Sequence, residues 1–291
     1  MLGLKLYKEI VDNEHWLPYL NIVKHFRTYL VTTNDSTFRV SGIYKFEGED
    51  FTISNTLPYI HRWTDLYKKG VLARFYSLER ELKGTPVNVV TMMTLTTYHG
   101  VNALGEKSKD HNETILEGFT LLKSGWSKLR HNMRGIDFVW IMEPHKTGFP
   151  HIHVVILEKI DKERQMRLKR LWAAYGCGSV KYGIKFTEKQ GPDNIKSIRN
   201  YLMKYLVKSW IDSDWTTGQL VFNAIVWEND YRLWGASTRL SKIMRKSKPE
   251  PLDVEWQKTE IKATRFSDHN VLWRKEGTDL KPFDFDEYGN L

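Results

Sequence analysis

Several things are scarce in this chain, and each scarcity excludes something. Of 291 residues only Cys177 is a cysteine, so no disulfide can form within the chain and a reducing compartment is the expected setting. No apolar run approaches the ~20 residues of a membrane span. The opening Met1-Leu2-Gly3-Leu4-Lys5-Leu6 lacks the long apolar centre of a secretory signal. Repeats and low-complexity tracts are missing as well. These absences predict a soluble, cytoplasmic protein without a membrane partner. Hydrophobic residues make up 41%, which argues for a globular fold rather than disorder. The length suits one large domain or two modest ones.

Negative charge is the scarcer sign. Lys and Arg number 44 against 35 Asp and Glu, a net charge of +9, which fits a polyanionic partner. The excess is local: from Lys196 to Lys248 there are 10 basic and 4 acidic residues. Within that segment bases alternate with Trp227, Tyr231 and Trp234. Cations for phosphate beside flat rings for stacking suit single-stranded DNA. Arg232, Trp234, Arg239 and Lys242 are the candidate contacts; the plainer reading is a solvated helix over buried tryptophans.

The chain divides into three stretches. Residues 1–84 are rich in aromatics, with helices expected over Glu9–Leu30 and Leu57–Leu82. A short hairpin is expected between them, from Phe38-Arg39-Val40 and Ile43-Tyr44-Lys45-Phe46; His61-Arg62-Trp63 reads as packing rather than chemistry. Residues 85–215 form the core: strand Val87–Thr97, helix Glu113–Arg130, a hairpin with strand Asp137–Met142, helix Asp161–Tyr175, strand Val180–Phe186 and a further helix. Residues 216–291 hold the basic-aromatic segment and then an acidic tail. This order implies an α+β fold, an antiparallel sheet with helices on one face and a site on the other.

The densest chemistry lies in Glu143-Pro144-His145-Lys146-Thr147-Gly148-Phe149-Pro150-His151-Ile152-His153. The apolar run Val154–Leu157 that follows reads as a buried strand. Strand side chains alternate, so His151 and His153 project together and Ile152 opposes them. A turn at Lys146-Thr147-Gly148 would bring Glu143 back beside them. Two imidazoles and a carboxylate on one sheet face make a three-ligand site for a divalent metal with open positions. Taken alone, such a pair is as often two partly exposed histidines.

A second pattern follows Gly191-Pro192. Ile195–Trp210 reads as a helix capped by Asp193 or Asn194. Its apolar residues fill one half, while Tyr201, Lys204, Tyr205 and Lys208 share a separate arc. Alone this is an ordinary amphipathic helix.

Together the motifs resemble the HUH endonucleases, and within them the two-tyrosine rolling-circle replication initiators (Rep proteins) of small phages, viruses and plasmids. Three motifs stand in the family's order over about Val87 to Trp210: Met92-Met93-Thr94-Leu95-Thr96, His151-Ile152-His153, and Tyr201-Leu202-Met203-Lys204, repeated at once as Tyr205-Leu206-Val207-Lys208. The first departs from the family by opening on Met92 where Phe is common. The resemblance implies a sheet with the histidine strand central and a metal site completed by Glu143. It implies Tyr201 or Tyr205 as nucleophile beside Lys204 and Lys208, with Thr94 and Thr96 on a DNA-contacting strand. The substrate would be single-stranded or hairpin origin DNA, in the host cell of a plasmid or virus.

The chemistry fits those residues. A tyrosine attacking phosphorus yields a 5′-phosphotyrosine and frees a 3′-hydroxyl for a host polymerase. Free tyrosine, with a pKa of ~10, is a poor nucleophile at neutral pH. A nearby lysine favours the phenolate, and Mg²⁺ or Mn²⁺ at Glu143, His151 and His153 would stabilise phosphate charge; zinc is a further option for that donor set. Gly100-Val101-Asn102-Ala103-Leu104-Gly105-Glu106-Lys107-Ser108 approximates a phosphate-binding loop, but Glu106 displaces Lys107 from its place. No ATP use is expected, and a helicase must come from the host. The alternatives are an HUH transposase or relaxase, and a non-catalytic sequence-specific DNA-binding protein.

Overall fold

A computed structural model describes residues 8–10, 16–33, 37–46, 49–82, 89–97, 114–145, 147–190, 215–245, 273–276 and 279–282. The helices are α1 (Leu20–Thr33, entered by a short turn over Leu17–Tyr19), α2 (Asp65–Leu82), α3 (Ile115–His131), α4 (Lys162–Ala174), α5 (Thr217–Glu228) and α6 (Thr238–Arg245). The strands are β1 (Thr37–Phe46), β2 (Glu49–Pro58), β3 (Val89–Thr96), β4 (Phe138–Pro144), β5 (Pro150–Ile156), β6 (Ile184–Gln190), β7 (Trp234–Ala236), β8 (Trp273–Glu276) and β9 (Asp279–Pro282). The expected helix over residues 195–210, with Tyr201, Lys204, Tyr205 and Lys208, lies outside the described residues, as does the loop from Gly100 to Ser108.

The chain forms two compact units. The first comprises residues 1–23 and 70–247, the second residues 24–69 and 248–291. The first is built on a five-stranded sheet in the order β6-β3-β5-β4-β7, every pairing antiparallel. The α+β class and the central place of the histidine strand are borne out.

The sheet's apolar content explains its position. All of β4 except Pro144 is buried, so it must be covered on both faces. On one face Phe138 and Trp140 meet Trp126 of α3, with ring centroids 5.6 and 6.0 Å apart. Phe119 of α3 meets Phe222 of α5 at 5.0 Å, so these helices share the layer. The α3 start is fixed by a reciprocal cap between Thr114 and Glu117. Its apolar stripe Ile115, Phe119, Leu122, Trp126 and Leu129 is buried as the 3.6-residue period requires, while Leu116 is left exposed. On the other face Trp234 pairs with Ile141, and its ring is covered by Phe75 of α2 at 5.6 Å.

The sheet reaches beyond residue 215 for its fifth strand. Met142 N–H donates to Leu233 O at 2.7 Å and Ser237 N–H to Phe138 O at 2.8 Å, seating β7 on β4. Gly235 permits this, since a Cβ there would lie 2.7 Å from Trp140 Nε1.

Several expected boundaries shift, each for a local reason. The sixth strand starts at Ile184 rather than Val180, because Ser179–Gly183 turns: Ser179 Oγ accepts from Tyr182 N–H at 3.0 Å and Ser179 O from Gly183 N–H at 2.8 Å. Helix α2 starts at Asp65 rather than Leu57, since β2 runs on to Pro58 and Thr64 accepts from Tyr67 N–H at 3.3 Å. The first helix is interrupted by a turn at Trp16 and the short turn carrying Pro18. Ser41-Gly42 is no hairpin turn; β1 passes straight through it and pairs along its whole length with β2. In the acidic tail β8 pairs with β9 as a small antiparallel hairpin, where an extended segment or a wrap is expected.

The second unit holds an aromatic cluster. Tyr29 and Tyr59 share a hydroxyl hydrogen bond of 3.1 Å, and both rings lie against His61, at 5.2 and 5.6 Å. Burial, followed by the charges of Arg62 and Lys68, lowers the pKa of His61 to about 4. Its imidazole is therefore neutral at physiological pH, consistent with packing.

Candidate metal centre

The β4–β5 hairpin sets the site. Its turn closes with His145 N–H donating to Phe149 O at 2.7 Å and Gly148 N–H to His145 O at 2.9 Å. Gly148 sits at φ +82°, and a Cβ there would lie 2.8 Å from the Gly218 carbonyl at the start of α5. Only glycine satisfies both constraints. With the turn fixed, Glu143 pairs with His151 and Ile141 with His153. On the other side of β5, Thr94 pairs with His153 and Thr96 with His151. Cross-strand partners share a face, so Glu143, both histidines and both threonines project together.

The three donors converge. Glu143 Oε1 lies 2.9 Å from His151 Nε2 and 2.6 Å from His153 Nε2, and one ligand atom from each residue falls within 4.8 Å of the others. The imidazoles stand 4.7 Å apart at an interplanar angle of 80°. Thr94 Oγ1 lies 3.1 Å from His153 Nδ1, so a partner outside the trio orients that ring and frees Nε2 to face the carboxylate. His151 Nδ1 is buried without a hydrogen-bond partner among the described residues.

Electrostatics favour the ligand form of each group. Burial alone would push the Glu143 carboxyl up, but hydrogen bonds from His151 and His153, and then their charge, hold it below the usual carboxylate value. Burial pushes His151 down; Glu143 opposes this only in part, and His153 and His145 add to the lowering. A carboxylate beside a neutral imidazole is the state that binds a cation. Two nitrogens and one oxygen, aimed at one point by a sheet that leaves further positions open, fit a divalent metal.

The remaining candidates fall in different places. Thr96 Oγ1 donates to Tyr182 O at 3.3 Å and Gly183 O at 3.4 Å, turned to the β6 side. Arg239 is bound to Asp137, Nε to Oδ2 at 2.6 Å and Nη2 to the same oxygen. Arg232 and Lys242 are exposed. Trp234 lies against Phe75 and beneath Arg74, whose Cζ is 5.8 Å from the ring centroid. Two participants escape the sequence reading. His145, at the turn, brings its ring 6.1 Å from that of His151. The bond from Thr94 to His153 is visible only once β3 is placed beside β5, although the alternation of Thr94-Leu95-Thr96 already marks both threonines as sharing a face.

An antiparallel α+β sheet whose central hairpin carries a Glu/His/His cluster is a scaffold for metal-assisted phosphate chemistry. Residues 90–210 match the model of a family of replication-associated proteins, the ORF2 type. The matched segment belongs to that family, the replication-associated Rep proteins of rolling-circle replication. Membership implies DNA binding and a role in replication. No curated protein and no solved structure matches the chain. Among the described residues no helix is long and apolar enough to cross a membrane.

Proposed function

We propose that the protein is a replication initiator that nicks single-stranded or hairpin origin DNA and later rejoins it, with Tyr201 or Tyr205 as the attacking group. One observation carries the reading: Glu143, His151 and His153 converge on one sheet face, inside a family match that runs on through both tyrosines. The tyrosine oxygen would bond to phosphorus while the bond to the 3′ oxygen breaks. The strand would be left as a 5′-phosphotyrosine with a free 3′-hydroxyl, the phenolic proton passing to the departing oxygen. Because the phosphodiester energy is kept in the tyrosine ester, joining needs no ATP. Lys204 and Lys208, on the same predicted helical arc, would lower the cost of the phenolate.

Glu143, His151 and His153 would hold Mg²⁺ or Mn²⁺, which when bound supplies charge stabilisation to the scissile phosphate. The two imidazoles favour Mn²⁺ over a cation that prefers oxygen throughout. Thr94 would keep His153 turned toward the cluster. A cytoplasmic setting in the host of a plasmid or virus, with the host's polymerase and helicase, completes the reading.

The test is a covalent-adduct assay on labelled single-stranded oligonucleotides tiling the replicon. The expected result is a protein–DNA band on a denaturing gel, present with Mn²⁺ or Mg²⁺ and absent from Y201F/Y205F, with DNA binding retained. DNA binding without an adduct from any oligonucleotide would favour a non-catalytic DNA-binding protein.

A further inference from the structure

At the end of the sheet away from Glu143, the last turn of α3 and the β7–α6 junction enclose a cavity of about 640 Å³. Its charged lining is Arg130, Arg134 and Arg239 with Asp137 as the only carboxylate, and Ser127, Ser237 and Thr238 contribute hydroxyls. Asp137 is already committed, accepting from Ser237 Oγ at 2.9 Å and from Arg239. Among the described residues no carboxylate pairs with Arg130 or Arg134.

The charge extends along α3. Lys123, Ser127 and Arg130 follow at i, i+4 and i+7, hence on one face, and all three are exposed. Lys123 Nζ stands 4.6 Å over the Tyr231 ring, and the guanidinium of Arg130 lies against Trp126. Arg130 is held below its ordinary pKa by partial burial and then by the charge of Arg232. Gathering like charges without counter-ions costs free energy in the isolated protein, and an anionic ligand would relieve it.

From these features we infer a second DNA site, in which Arg130 and Arg134, supported by Lys123 and Arg232, grip backbone phosphates at a distance from the metal centre. Guanidinium forks suit phosphate oxygens, and hydroxyls complete the donor set. From Phe138 to Glu143 the β4 backbone spans roughly 17 Å, about five phosphate steps along one strand. The site would therefore hold DNA flanking the cut and fix its register. The inference rests on DNA being the substrate, as proposed above.

The test is equilibrium binding across a salt series, by anisotropy, with a labelled random-sequence duplex and a short oligo-dT strand. R130Q/R134Q is expected to lose roughly tenfold or more in affinity, and its log–log salt slope to fall by about two. Should that variant fail to fold, R134E carries the test, because Arg134 is exposed in a turn; its slope is expected to fall by about one. A greater loss with the duplex assigns the site to a duplex flank, an equal loss to the single strand. Unchanged affinity and slope in a protein that still binds DNA and forms the tyrosine adduct would overturn this inference alone. A wild-type protein that binds neither probe would overturn the initiator reading with it.

Discussion

The two ends of strand β4 solve opposite problems. At the Glu143 end, three titratable groups are packed together, their side chains between 11% and 14% exposed, and one carboxylate oxygen serves two imidazoles. At the Phe138 end, arginines stand exposed, and two of those lining the cavity lack a carboxylate partner among the described residues. Bond-making chemistry benefits from burial, because a low local dielectric strengthens each interaction and fixed partners remove reorganisation. Gripping a polyanion benefits from exposure, because released counter-ions supply the driving force. One strand thus carries a preorganised centre at one end and an uncommitted cationic surface at the other.

The largest expected break in this contrast is at the buried end. Replacing His153 by Ala removes a donor and exposes the Glu143 contact. Metal binding, read by Mn²⁺ titration calorimetry, should weaken by at least about 100-fold, and adduct formation should fall with it. Next is Gly148→Ala. A Cβ at φ +82° meets the Gly218 carbonyl, so stability should drop by about 2–3 kcal/mol, visible as a lower urea midpoint. The register of Glu143 against His151 should loosen too, so adduct formation should fall in the folded fraction. Thr94→Val keeps the shape and removes the bond to His153 Nδ1. Losing an outer partner of this sort costs about 10- to 100-fold in metal affinity, with little change in unfolding. Unchanged Mn²⁺ affinity in that variant would show that the ring is held by packing alone.

A smaller effect belongs to the second unit and to pH. His61 has a folded pKa of about 4 against 6.5 for an ordinary histidine. Between those values the unfolded chain binds the proton and the folded chain does not, so stability falls as pH drops from 6.5 toward 4 and levels off below. The shift corresponds to roughly 3 kcal/mol at most. Replacing His61 by Gln should flatten that stretch of the pH–stability curve, measured by denaturant unfolding at each pH.

The comparison also shows what a sequence can and cannot disclose. The histidine pair is legible because strand alternation is a rule of geometry, and Glu143 because a glycine turn folds the chain back by a countable number of residues. The order of elements from Val89 to Gln190 is legible from apolar periodicity. What stays hidden depends on contacts between distant segments. Nothing in Trp234-Gly235-Ala236 announces a sheet edge; that follows from Gly235 lying against Trp140. Ser41-Gly42 has the composition of a turn, yet pairing with β2 overrides it. The stripe Lys123, Ser127, Arg130 is readable as spacing, but the cavity beside it exists only because the β7–α6 junction comes to rest there.

The most direct measurement is peptide mapping of the covalent product: form the adduct with Mn²⁺, digest protein and DNA, and locate the nucleotide by mass spectrometry. The account predicts a nucleotide ester on Tyr201 or Tyr205, formed only with a divalent metal and absent from H151A/H153A. A nucleotide on any other residue, or the same adduct formed under chelation, would contradict it.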